Sequence, residues 1–245
     1  SDYANELLNK QFDTKSLKGF GVSDMKDAII AAGVALHYLK ETQHNKIKHI
    51  TSIERVHEED FVWMDKFTIN NLELYHSNNQ NAVTLIQIID KTISPMGGRL
   101  LKRWISFPLK SLIEIKKRHE IVNYFFCNER ELENLQNQLK EVGDLERLIS
   151  KVATGRVNPR EVVQLKNSLE RVILIKQQVF QVNNDSLSKL ASKISDCKTL
   201  CDKIKSILND DAPVNILKGN SIRSSSDEKL SMLRDITING KKYLD

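Results

Sequence analysis

The chain has 245 residues, 40% hydrophobic and 28% charged, a composition typical of a water-soluble fold with a substantial core. Its 37 basic and 32 acidic residues are interleaved, so the net charge of +5 favours a solvated mixed-charge surface over a self-sufficient nucleic-acid surface. An odd count of three cysteines without visible secretory features predicts a reducing cytoplasmic location and no disulfide framework. No apolar run approaches the ~18 residues of a membrane span. With only 9 Gly and 4 Pro, long helices are favoured over short strands.

The first predicted helix begins at Ser23-Asp24, which can cap it. Small and aliphatic residues recur on one side of this helix at Ala28, Ala31, Ala32, Ala35, Leu36 and Leu39. Small residues in that pattern predict close packing against another element. The pattern changes near residues 42–48, and we interpret this change as a domain boundary.

A small extended or strand element is predicted near residues 47–64. Ile50, Ile53 and Val56 lead to an apolar run, Phe61–Met64, that is bounded by charged residues. Such a run is typical of a short strand paired with a neighbour. A helix over residues 82–89 follows, with Val83, Ile86 and Ile89 predicted to face inward.

The most strongly punctuated helix lies within Ser94–Leu109. Ser94 is a suitable N-cap with Pro95 at the first helical position, and Phe107-Pro108 ends the helix. Helical spacing places Gly97, Leu101, Trp104 and Ile105 on one side, and Arg99, Lys102 and Arg103 on the other. We predict a packing hub, with Trp104 in the core and Gly97 where another backbone approaches closely.

Helix follows helix beyond this hub. Ser111 with Glu114 and Asn128 with Glu131 are predicted capping boxes. The helix after Ser111 is expected to bury a stripe formed by Leu112, Ile115, His119, Val122 and Phe126.

The strongest helix start in the chain is Asn158-Pro159-Arg160-Glu161, which combines an N-cap, an N1 proline and a capping-box glutamate. It opens a helix expected to run to about Gln181. Ser225 with Glu228 is predicted to cap the last helix, which carries Leu244 and has no stop signal before Asp245.

No sequence motif for chemistry is found, so no catalytic, cofactor-binding or metal-ligating residue is predicted. Phosphate loops, dinucleotide turns, zinc pairs and serine elbows are all missing. Cys197 and Cys201 are interpreted as small core residues, and His119 as a hydrogen-bonded core histidine. The remaining histidines considered, His44, His49, His57 and His76, have no partner at ligand spacing.

Two charged groups leave alternatives open. Asp144, Glu146 and Arg147 form either a carboxylate–guanidinium cluster or a helix cap with an ion pair. Arg99, Lys102 and Arg103 either contact phosphates or pair with acidic residues of a neighbouring helix. The second interpretation is favoured for both groups, because neither a nucleophile nor interleaved aromatic residues accompany them.

The hub and its surroundings resemble the MutS family of DNA mismatch-recognition ATPases. The resemblance rests on five segments in the family's order and spacing: Ala31–Leu36 with Glu41–Gln43, Asp65–Leu74, Thr92–Leu109, Arg118–Val122 and Gly143–Arg160. The sequence departs from the family at Lys218–Ser226, where the family has a glycine-rich segment.

The resemblance implies a mainly α chain with three parts. Residues 1–45 would be the end of the connector domain, 46–218 the first segment of the core or lever domain, and 219–245 the start of the helical arm leading to the clamp. It also implies partners and cofactors for a full-length protein: mismatched duplex DNA, a second copy, a MutL-type protein, and ATP with Mg²⁺ in an ATPase domain outside this chain.

A non-catalytic relay between the ATPase and clamp domains is therefore the leading hypothesis. Its structural or relay candidates are Gly97, Arg99, Arg103, Trp104, Asp144, Glu146, Arg147, Asn158, Pro159 and Arg160. The alternatives are an independent helical DNA-binding module, which would contact phosphates nonspecifically, and a hydrolase or transferase, for which the sequence contains no site.

Overall fold

The computed structural model describes residues 2–43, 47–56, 58–79 and 81–239, and this part of the chain is mainly helical. Its α-helices are α1 Asp2–Gln11, α2 Lys26–Gln43, α3 Lys66–Asn71, α4 Leu85–Ile89, α5 Pro95–Ser106, α6 Leu112–Cys127, α7 Glu129–Lys140, α8 Leu145–Ala153, α9 Pro159–Phe180, α10 Asp185–Ser192, α11 Lys198–Ile207 and α12 Glu228–Asn239. The described residues contain isolated β-bridges but no sheet. The predicted mainly α class is confirmed.

The chain divides into two compact units. One contains the residues up to Asp60 together with Ile149–Val157, and the other contains Phe61–Leu148 and the chain from Asn158 onward. The predicted domain limits at residues 45/46 and 218/219 stay predictions.

The first unit is built on close packing between α1 and α2. Its core is formed by Ala4, Leu8, Leu17, Val22, Ile29, Leu36 and Ile47. A Cβ added to Gly33 would lie 2.5 Å from the Cβ of Ala4 and 2.9 Å from its Cα, so the two helices touch at a residue that has no side chain. The predicted close packing is therefore present, but Ala28, Ala31 and Ala35 are exposed, and Ile29, Gly33 and Leu36 form the buried face instead.

The predicted extended element is reduced to a single antiparallel bridge. Phe61 pairs with Leu109, the Val62 amide donates to the Pro108 carbonyl at 2.7 Å, and the rings of Phe61 and Phe107 lie 5.8 Å apart. The partner thus comes from the segment after α5, far along the chain. Residues 51–56 are irregular, and Glu58–Asp60 form a 3₁₀ turn.

Helix α9 is central to the second unit, and the predicted start of this helix is confirmed. The Asn158 side chain accepts from the Glu161 amide at 3.0 Å, while Glu161 accepts from the Asn158 amide at 3.1 Å. Over its 22 residues α9 contacts α7, α10 and α11. Val142, Ile175, Val179, Leu187 and Ala191 form the buried cluster between these elements.

The predicted buried stripe of α6 is wrong. Leu112, Val122 and Phe126 are exposed, Phe126 by 80%, and His119 is also exposed. The inward face of α6 is instead formed by Ile121, Tyr124 and Phe125, which pack on the α9 cluster. The helix is apolar on two sides, so its periodicity could not identify which side faces the core.

The predicted capping box at Asn128 is also wrong. The Asn128 side chain makes no cap hydrogen bond to α7, and its Nδ2 donates instead to the Tyr124 carbonyl at 2.8 Å. Glu131 instead accepts from the Tyr124 hydroxyl, and this hydrogen bond raises the pKa of Tyr124 to about 12.

The hub helix α5 is less buried than predicted. Trp104 is 41% exposed, and the Arg118 guanidinium lies 3.6 Å from its ring centroid. Gly97 is close to its own N-cap, with a Cβ there 3.1 Å from Ser94 Oγ, and no other helix backbone is among its nearest neighbours. The predicted core role of Trp104 and the predicted helix–helix contact at Gly97 are both wrong.

The start of the last helix differs from the predicted one. Asp227, and not Ser225, provides the cap, because its Oδ1 accepts from the Leu230 amide at 3.0 Å. In the loop before it, Gly219 and Asn220 both have positive φ angles, 72° and 57°. Asparagine tolerates this left-handed region better than most residues, so it can take a turn position that favours glycine. The predicted position Leu244 lies outside the described residues.

Replacing Gly33 by Ala should destabilise the first unit. An added methyl usually favours a helix by about 1 kcal/mol, but here it collides with Ala4, at a cost of about 1–3 kcal/mol. Thermal unfolding of the chain measures the net effect. The double variant Gly33→Ala with Ala4→Gly should recover part of the loss, whereas a Gly33→Ala variant of higher melting temperature would contradict the predicted contact.

Replacing Trp104 by Ala should cost only about 1–2 kcal/mol, because its side chain is partly exposed. Leu187, which is 4% exposed, provides the comparison, and Leu187→Ala should cost about 2–5 kcal/mol. Denaturant unfolding of both variants measures the difference. A larger loss of unfolding free energy for Trp104→Ala than for Leu187→Ala would show that Trp104 is a core residue, as the sequence predicts.

Candidate functional site

Arg99 joins α5 to the start of α8 through two carboxylates. Its Nη1 and Nη2 donate to the two oxygens of Asp144 at 3.0 and 2.6 Å. Its Nε donates to Glu146 Oε2 at 2.7 Å. Three donors of one planar guanidinium are thus engaged, a geometry that lysine cannot reproduce.

The start of α8 presents these carboxylates for local reasons. Asp144 caps the helix, because its Oδ1 accepts from the Arg147 amide at 3.2 Å, and Glu146 lies in the first turn. Both negative charges are favourable at a helix N-terminus. The hydrogen bond from Arg99 is the largest cause of the lowered pKa of Asp144, and Asp144 in turn raises the pKa of Arg99.

The sequence-based interpretation of pairing with a neighbouring helix therefore holds for Arg99. Arg103 is exposed and has no ion pair or side-chain hydrogen bond among the described residues, and Lys102 is exposed as well. The Arg147 backbone belongs to the cap, while its side chain is exposed. The structure thus brings together Arg99, Asp144, Glu146 and Arg147, and leaves Arg103 outside this cluster.

The other predicted candidates form the start of α9. Asn158 and Pro159 cap and initiate the helix. Arg160 extends to the chain beyond α11, where its Nε donates to the Ala212 carbonyl at 3.3 Å. This carbonyl belongs to a buried residue, so Arg160 fixes a loop and is not available to a ligand at that atom.

Sequence reasoning missed a second charged cluster on α9. Lys166 has a side chain only 7% exposed, and its Nζ lies 3.1 Å from Asp210 Oδ1 and 3.9 Å from Glu170 Oε2. Asp210 also accepts from Arg223 at 2.6 Å. A lysine at helical spacing from the apolar residues Val162 and Leu169 was the available signal, but its closer partner, Asp210, is distant in sequence.

The described histidines and cysteines are dispersed along the chain. Across residues 2–43, 47–56, 58–79 and 81–239, no three His, Cys, Asp or Glu residues are grouped as metal ligands. Cys201 is buried, as predicted, and burial raises the pKa of its thiol, which makes it a poor nucleophile. His49 and His76 are exposed, while His44 and His57 lie outside the described residues.

A separate finding concerns membranes. No helix in the described ranges combines the length and the apolar character needed to cross a bilayer.

Two family models match the chain. The model of MutS domain II matches residues 1–51, and the model of MutS domain III matches residues 67–243. The second match alone covers more than half of the chain.

Three curated relatives, each called DNA mismatch repair protein MutS, illustrate the similarity. The relative from Flavobacterium johnsoniae is 53% identical over 244 residues, as is the one from Flavobacterium psychrophilum, and both alignments cover 100% of this chain. The relative from Bacteroides thetaiotaomicron is 48% identical over 241 residues, 98% of the chain. In each case the chain spans 28% of the relative's length. The chain belongs to the MutS family, and it corresponds to domains II and III of that family.

Proposed function

We propose that this chain is the connector end and lever of a longer mismatch-recognition protein, in which it relays between an ATPase domain and a DNA clamp. The match to MutS domains II and III carries this proposal, because the relatives are named for DNA mismatch repair. In this role the chain performs no chemistry. ATP and Mg²⁺ would bind elsewhere in the longer protein, which we place in the bacterial cytoplasm.

The partners follow from the same proposal. The longer protein would bind mismatched duplex DNA, associate with a second copy and act with a MutL-type protein. None of these partners requires a reactive group from the described residues, and the proposal assigns none.

The geometry around α9 and Arg99 supports a mechanical role. A helix of 22 residues at 1.5 Å per residue is about 33 Å long and can transmit a displacement across a domain. A relay also requires contacts with a defined direction, and the bidentate contact of Arg99 with Asp144 fixes α5 relative to the first turn of α8. Exposed ion pairs stabilise proteins little, so the proposed value of this contact is orientation.

Replacing Arg99 by Gln should therefore alter coupling more than stability. In the longer protein, we expect the rate of ATP-triggered release from mismatched duplex to change by about threefold or more. Stopped-flow fluorescence of labelled DNA measures this rate, and thermal unfolding measures stability.

Arg103→Gln is the matched control, because Arg103 lies on the same helix without an ion pair among the described residues. Arg103 is also among the relay candidates predicted from the sequence, but among the described residues no carboxylate orients its side chain. This variant removes the same charge and should therefore leave the release rate unchanged. Equal rates for Arg99→Gln and the unmodified protein would contradict the relay role of this cluster.

The alternative, an independent DNA-binding module, is supported by the exposed Lys102 and Arg103 on α5 and by the net charge of +5. We expect the chain alone to bind duplex DNA weakly and without mismatch preference. Fluorescence anisotropy over a salt series tests this, since phosphate contacts give a steep loss of affinity with salt. Tight binding at about 150 mM salt that Arg103→Gln weakens would favour the alternative.

A further inference from the structure

The buried ammonium of Lys166 requires a counter-charge, and Asp210 supplies it. Lys166 lies in the middle of α9, and the closer of its two carboxylate partners is Asp210, at 3.1 Å against 3.9 Å for Glu170. Because Lys166 is buried, loss of its carboxylate partner would leave an ammonium that water solvates poorly. Lys166 therefore holds the segment after α11, which carries Asp210, against α9.

Asp210 also binds Arg223. Its second oxygen, Oδ2, accepts from Arg223 Nη2 at 2.6 Å. The hydrogen bond from Lys166 is the largest cause of the lowered pKa of Asp210, and the bond from Arg223 lowers this pKa further. The carboxylate thus lies between two cations from different segments, which it connects.

Arg223 is also fixed by backbone contacts. Its Nε donates to the Leu208 carbonyl at 2.7 Å, and its amide donates to the Ile207 carbonyl at 2.8 Å. Next to it, Ile222 forms an antiparallel bridge with Leu208. The orientation of Arg223 is therefore set by the end of α11 as well as by Asp210.

The start of α12 depends on the residues that follow Arg223. The Arg223 carbonyl accepts from the Ser226 amide at 3.1 Å, closing the 3₁₀ turn Ser224–Ser226. Arg234 of α12 donates to Ser224 Oγ at 2.8 Å. Farther along α12, Met232, Leu233 and Ile236 are exposed. The contacts at its base therefore contribute to the orientation of the helix.

We propose that Lys166, Asp210 and Arg223 are positioning residues that fix the start of α12 to α9. This inference rests on the proposed function, in which α12 begins the arm leading to the clamp. A charged connection suits such a joint, because hydrogen-bonded ion pairs define direction as well as distance. Without it, α12 would lose its fixed orientation relative to α9.

Amide hydrogen exchange in the longer protein tests the inference. In Asp210→Asn, amides within residues 220–231 should exchange about tenfold faster. The two ion pairs are absent in this variant, so the free energy of local opening of this segment is lower. In this variant the Lys166 ammonium has lost its closer carboxylate, so amides in the middle of α9 measure any general loss of stability. The double variant Lys166→Met with Asp210→Asn removes the buried charge, so it should fold normally and still show fast exchange over residues 220–231.

Arg171→Gln is the matched control, because it removes another ion pair of α9, with Glu141. It should leave exchange over residues 220–231 unchanged. Unchanged exchange in the double variant, or equal acceleration by Arg171→Gln, would overturn the inference. Fast exchange together with normal ATP-triggered DNA release would support the positioning role and contradict the proposed relay.

Discussion

The second unit depends on the burial of α9 among α7, α10 and α11. Its start is fixed by the reciprocal Asn158–Glu161 cap, and its length provides one continuous surface for three neighbours. Each neighbour is short, between 8 and 12 residues, and isolated helices of that size are marginal in water. They are therefore stabilised mainly by packing on α9, so a change in α9 affects all of them together.

Charged contacts in this unit orient helices that apolar packing holds together. The Arg99 cluster connects α5 to α8, and the Asp210 cluster connects α9 to the base of α12. Apolar contacts are non-directional, so they keep elements together without defining a single angle between them. Hydrogen-bonded ion pairs have strict geometry, which suits the joints of a protein proposed to transmit motion.

Local chemistry made most of the fold predictable, and distant contacts account for the errors. The N-caps at Ser94, Asn158 and Ser111 depend on residues within three positions, and all three are present. The predicted box at Ser111 is incomplete, because the Glu114 side chain accepts from Lys117 instead. The sequence also favours the pairing of Arg99 with acidic residues of a neighbouring helix. The inward face of α6 and the contact of Lys166 with Asp210 depend on residues tens of positions away, where periodicity and spacing carry no information. Helical spacing places Trp104 on the same side of α5 as Leu101 and Ile105, but its ring lies under Arg118 and remains partly exposed.

The second apolar face of α6 has a practical consequence for work with this chain in isolation. Leu112, Val122 and Phe126 give water-exposed hydrocarbon on one side of a rigid helix. Surfaces of this kind promote self-association, and kosmotropic salts such as sulfate strengthen it. We therefore expect concentrated samples of the isolated chain to self-associate least in buffers without such salts. The same surface also makes dilution a useful control in any unfolding experiment, because association raises the apparent stability.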